Sequence, residues 1–141
     1  MPMIDHLSLG VRDLARSGTF YDAVLAPLGY VRLADWDPSP EHPWRSVAYG
    51  PPGSDPFGKR GEAPLNLEER PGATPGGAGF HLCFQAPDRN AVHEFHRIGI
   101  EQGARDYGAP GPREHYGPGY YASFLIDPDG WRIEAVTYSA T

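Results

Sequence analysis

FLIDPDGWRIEAV, residues 124–136, is the stretch that decides the fold. Asp127-Pro128-Asp129-Gly130 is a strong turn sequence. Asp hydrogen-bonds nearby backbone, Pro presets φ, and Gly accepts the left-handed corner. The turn predicts a hairpin between strands at Tyr120–Ile126 and Trp131–Thr137. Side chains alternate along a strand, so Ile133 takes one face and Glu134 the other.

Upstream, residues 79–84 read GFHLCF. Phe80, Leu82 and Phe84 face one way; His81, Cys83 and Gln85 face the other. Asp88 caps a helix whose apolar stripe is Ala91/Val92, Phe95 and Ile98/Gly99, ended by Gly103. A strand near Arg105–Ala109 follows. The first half repeats this plan. Ile4 to Val11 alternates, with Leu7, Leu9 and Val11 on one face and His6 and Ser8 on the other. Asp13 caps a helix with Leu14, Tyr21, Val24/Leu25 and Leu28 as its stripe, and Gly29 stops it. Strands are expected at Tyr30–Ala34, Arg45–Tyr49 and Pro64–Glu69.

Each half therefore reads strand, helix and three strands. His6 and His81 are 75 positions apart, as are Val11 and Ala86, Asp13 and Asp88, and Phe20 and Phe95. Leu65-Asn66-Leu67 takes the place of Ile133-Glu134-Ala135. A duplicated βαβββ unit explains this. The expected class is α+β: one domain over 1–141, with modules at about 3–70 and 78–138. Their sheets would pair into an open barrel-like sheet with the helices outside and the inner face free for a ligand.

The leucines of the first strand pack under the first helix, which turns His6 and Ser8 inward. The same argument turns His81 and Cys83 inward, with Glu134 joining them from the last strand. Two imidazoles and one carboxylate make up a facial triad. Such a triad binds a divalent first-row metal (Fe2+, Mn2+, Ni2+ or Zn2+) and leaves positions open for water or substrate.

DHLSLGVRDLARSGTFYDAVLAPLGY (5–30) resembles the opening of a vicinal-oxygen-chelate module. GFHLCF resembles the opening of the second module, and FLIDPDGWRIEAV its ending, where DPDG leads to a ligand Glu. This is the superfamily of glyoxalase I, bleomycin-resistance proteins and extradiol dioxygenases. The resemblance implies a divalent metal held by His6, His81 and Glu134, a small-molecule substrate chelating it through vicinal oxygens, and a homodimer. The pattern also departs from named members. Asn66 stands where glyoxalase I has a fourth ligand, Glu, and Phe124 stands where extradiol dioxygenases and fosfomycin-resistance transferases have an active-site Tyr.

Ser8, His115 and Tyr121 are further candidates for substrate contact or proton transfer beside Glu134. His93 and His96, in HEFH, lack the zinc-protease spacing and read as exposed helix residues. Trp36, Trp44 and Phe57 would line an aromatic substrate wall or pack a dimer interface. The expected activity is that of a metal-dependent enzyme of lyase, isomerase, thiol-transferase or dioxygenase type. The alternative is a non-catalytic drug binder similar to the bleomycin-resistance proteins.

Composition sets the remaining limits. A net charge of −6 without a basic cluster makes nucleic acid a poor partner. No apolar run approaches a membrane span of roughly 20 residues. The opening MPMIDHLSLG reads as the start of a strand rather than a signal peptide. The lone Cys83 excludes an intrachain disulfide and suits the cytoplasm. The only lysine, Lys59, lies in a Gly-rich loop, one of three Gly/Pro clusters at 50–58, 71–79 and 108–119.

Overall fold

The computed structural model describes residues 3–57 and 64–141. Lys59 lies outside the described residues. The chain divides into two compact units: 1–22 with 30–74, and 23–29 with 75–141.

In the first unit β1 (Leu7–Val11), β2 (Val31–Trp36), β3 (Ser46–Gly50) and β4 (Leu65–Glu69) form one sheet in the order β1-β4-β3-β2. Only the β1–β4 pair is parallel. The second unit repeats this with β5 (Leu82–Gln85), β6 (Arg105–Pro112), β7 (Tyr121–Ile126) and β8 (Arg132–Thr137) in the order β5-β8-β7-β6, again with the first pair parallel. The repeat read from paired residues is thus a repeat of topology. The class is α+β, as expected, with one four-stranded mixed sheet in each unit.

Helix α1 (Leu14–Leu25) starts where Asp13 Oδ1 accepts from the Arg16 amide at 3.1 Å. Glu69, at the end of β4, accepts from the Leu14 amide at 2.9 Å. That carboxylate fills an N-terminal donor left over by the helix. The expected stripe is buried: Leu14, Tyr21, Val24, Leu25 and Leu28 each keep 4% exposure or less. The Tyr49 hydroxyl, from β3, donates to the Gly18 carbonyl and to Asp22. A 3-10 turn at Ala26–Leu28 ends on Gly29, whose φ of 88° suits a residue without Cβ.

Helix α2 (Arg89–Glu101) is capped by Asp88, which accepts from the Ala91 amide at 2.8 Å. It packs on β6, β7 and β8 through Val92, Phe95 and Gly99. At Gly99 the approach is so close that an added Cβ would stand 2.3 Å from Leu125 Cδ1.

Strand boundaries shift by one or two residues elsewhere, and two differ from the sequence expectation by three. β1 begins at Leu7, not Ile4, because its ladder with β4 begins at the Leu7↔Leu65 pair; Ile4 is exposed. β6 runs on to Pro112 through a stretch that reads as loop. It is an edge strand with register shifts on either side of Gly108, and an edge tolerates prolines that cannot donate. No helix among the described residues is long and apolar enough to cross a membrane.

Candidate metal and substrate site

The turn at Asp127–Gly130 sets the register that builds the site. Asp127 Oδ1 accepts from the amides of Asp129 and Trp131, and the Gly130 amide closes on the Asp127 carbonyl. The hairpin then pairs Phe124 with Glu134, and the parallel ladder pairs Cys83 with Glu134. Glu134 is 1% exposed. Its Oε1 lies 3.3 Å from Nε2 of His81, which immediately precedes β5 and is half-exposed. The Tyr120 phenol donates to Oε2.

A cleft of about 450 Å3 opens over this group. Phe80, Tyr107, Tyr116, Tyr120 and Phe124 make its aromatic walls, and Arg132 adds one cation. Burial first, and next the hydrogen bond to Glu134, hold the Tyr120 hydroxyl well above the ordinary phenol range, so it is a fixed donor. Cys83 keeps exposed surface, yet the protein packed round its thiol, followed by the Glu134 charge, pushes it up to about 12. It is a poor nucleophile there.

The equivalent place in the first unit is a cleft of about 480 Å3 lined by His6, Ser8 and Asn66. His6 immediately precedes β1, and its Nδ1 meets Asp5 Oδ1 at 2.7 Å. Ser8 pairs with Asn66 just as Cys83 pairs with Glu134. Among the described residues no three His, Cys, Asp or Glu side chains are grouped as a metal cage. The structure brings His81 and Glu134 together in one unit, and His6 and Ser8 lie in the other.

The remaining candidates divide by strand parity. Tyr121 is turned toward α2, its hydroxyl 2.7 Å from His93 Nε2 and its ring under Arg89. Ser123 and Leu125 share that direction, Ser123 donating to the Val92 carbonyl. Tyr120 and Phe124 take the other side and line the cleft. Sequence reasoning passed over Tyr120; parity within the strand ties it to Phe124, but which face the two share is set by the pairing of β7 with β8. His115 is exposed on a 3-10 turn and stacks on Tyr116 at 4.1 Å; Tyr116, not His115, is among the lining residues. His96 is mostly covered and meets Asp106 at 2.9 Å.

The model of the Glyoxalase/Bleomycin resistance protein/Dioxygenase superfamily matches residues 3–135. The chain belongs to this superfamily. Among solved structures, this superfamily member is similar to a glyoxalase/bleomycin resistance protein from Albidiferax ferrireducens T118. That protein is 28% identical, with 96% of this chain and 98% of that one covered and a TM-score of 0.74. Glyoxalase I from Zea mays shares the fold at 20% identity and a TM-score of 0.68, over 94% of this chain and 43% of the maize one. A glyoxylase/bleomycin resistance protein/dioxygenase domain from Frankia sp. EAN1pec does so at 20% identity and a TM-score of 0.66, over 96% and 97%. Comparison with curated proteins gave no match.

Proposed function

We propose that this superfamily member is a metal-dependent enzyme acting on a small oxygenated substrate, with His6, His81 and Glu134 holding one divalent ion. The observation that carries the reading is the Glu134 carboxylate, 1% exposed and facing the imidazole of His81 at 3.3 Å. A carboxylate taken out of water is costly unless cations or donors meet it. One oxygen and one nitrogen converging at the floor of a cleft suit a first-row divalent metal. The reading requires His6, at the equivalent position of the repeat, to supply the third donor.

When bound, such an ion supplies Lewis-acid polarisation of a substrate that presents two neighbouring oxygens. The residues of this chain do the rest. Tyr120 holds Glu134 in one orientation and keeps its proton at the cleft wall. We assign it, rather than Tyr121, to the substrate side. The aromatic walls exclude water from the reacting atoms. Ser8 and His115 stay assigned to substrate contact or proton transfer, and the homodimer is part of the same reading.

The test is metal analysis of protein purified without chelator. We expect about one first-row ion per chain, the stoichiometry of a three-ligand site, and its loss in His6→Ala, His81→Ala and Glu134→Gln. Equal metal content in wild type and Glu134→Gln overturns the proposal. Turnover is then sought with diketones, catechols and epoxides, and sedimentation measures the dimer.

A further inference from the structure

We propose that the cleft of the second unit takes a flat aromatic acid, with Arg132 holding its carboxylate and the far edge of the ring turned toward Glu134 and His81. The inference names a substrate class for the site assigned above and rests on that assignment.

Strand parity brings Arg132 to the cleft. It stands two residues before Glu134 on β8, so the two side chains leave the same face of the sheet. Both line the cleft. They do not pair with each other. Glu134 faces His81 through one oxygen and accepts from Tyr120 through the other. Arg132 is half-buried, and among the described residues it makes no hydrogen bond or ion pair. Its guanidinium lies 5.3 Å from the centre of the Tyr107 ring. Arg113, by contrast, donates to the carbonyls of Pro112 and Ala109. Stacking on a ring occupies the face of a guanidinium and leaves its edge, a fork of N–H donors that matches a carboxylate. A cation with that fork unused, set in a cleft wall, is a handle for an anion.

The walls supply partners for a ring. Tyr107 is 53% exposed and Tyr116 61%. Both have neighbours that set their planes: Tyr107 carries Arg132, and Tyr116 lies 4.1 Å from His115 and 5.3 Å from Tyr120, centre to centre. Phe80 rests edge-on against Trp131 at 5.3 Å. Aromatic faces held in place yet left in water are contact area for a flat ligand.

Charge then fixes the orientation. The ionisable side chains of the lining, besides its tyrosines, are His81, Arg132 and Glu134. A carboxylate against Glu134 would meet a like charge, whereas at Arg132 it meets an opposite one. Two strand steps separate the backbones of Arg132 and Glu134, about 6–7 Å. A single ring with its substituents covers that span. Its far edge therefore reaches Glu134 and His81, where the proposed function needs the reacting oxygens. A neutral ring would leave Arg132 unanswered, and an aromatic cation would be repelled by it.

The test uses the full 15N-labelled chain, treated with EDTA, at pH 8, above the usual histidine range. It is titrated separately with benzoate, benzamide and cyclohexanecarboxylate. We expect benzoate to shift the amide signals of Tyr107, Tyr116 and Arg132 saturably. It should bind about tenfold more tightly than benzamide, the size of one hydrogen-bonded charge contact. It should bind about threefold more tightly than cyclohexanecarboxylate, which has the charge without the flat ring. Arg132→Gln should lower benzoate to the level of benzamide and leave benzamide unchanged, which also shows that the variant is folded. Arg132→Lys should fall between, because it keeps the charge without the fork. Equal binding of benzoate and benzamide, wild-type benzoate binding by Arg132→Gln, shifts confined to the first unit, or no saturable binding overturns the proposal. Metal content is measured on the same preparation before EDTA. Benzoate binding by a protein that held no metal sinks the metal reading alone, and metal content without benzoate binding sinks this inference alone.

Discussion

The phenol of Tyr120 donates to Oε2 of Glu134, the carboxylate oxygen that does not face His81. One side chain thus settles which oxygen of a buried carboxylate is left for a ligand. Tyr120→Phe removes that donor and leaves Oε2 unmet. We expect the affinity for a divalent metal to fall about tenfold or more, as when the outer partner of a ligand is lost. Tyr121→Phe, on the helix side, should change it less than about twofold. Competition with a chromophoric chelator measures both, and equal effects of the two substitutions contradict the arrangement.

Phe124 stands opposite Glu134 in the β7–β8 ladder and lines the same cleft. Phe carries no proton that ring-cleavage chemistry could use. With Fe(II) loaded anaerobically, catechols should bind but give oxygen uptake below about 1 per second, the low end of common enzyme rates. Phe124→Tyr should raise it. Fast uptake by wild type that Phe124→Tyr does not improve would make dioxygenase the leading activity.

Gly99 lets α2 settle onto Leu125, itself fully buried. Gly99→Ala gains about 1 kcal/mol of helix propensity but drives a methyl group to 2.3 Å from Leu125 Cδ1. Overpacking costs about 1–3 kcal/mol, so we expect net destabilisation of about 1 kcal/mol in urea unfolding. Adding Leu125→Val should make Gly99→Ala less costly, because it removes the atom that clashes. A stabilised single variant would mean that the core around Leu125 yields.

Tyr49 donates to Asp22 at 2.8 Å, and its ring is 1% exposed. Burial first, then the hydrogen bond and charge of Asp22, raise its phenol far above the ordinary value. The folded chain therefore holds this proton more tightly than the unfolded one. The resulting stability is fully present below about pH 10 and is lost as pH rises beyond it. Absorbance titration should show this tyrosine ionising only well above the ordinary phenol range, together with unfolding. Tyr49→Phe should cost about 1 kcal/mol and flatten the alkaline fall in stability.

Most of the fold was legible because local chemistry and periodicity agree. DPDG could only be a turn, Asp13 and Asp88 could only serve as caps beside those apolar stripes, and the spacing of 75 between His6 and His81 exposed the repeat. Strand parity likewise put Ile133 in the core and Glu134 opposite it. The sequence could not assign Tyr120 and Tyr121, adjacent phenols of equal chemistry, because their directions depend on where β7 begins and on which strands flank it. Pairing β7 with β8 and packing α2 against its odd positions decided that Tyr121 meets His93 and Tyr120 meets Glu134. The same holds for Asn66. Its identity was plain from the chain, but that its carbonyl oxygen is buried without a donor follows from neighbours far away in sequence, which no local pattern encodes.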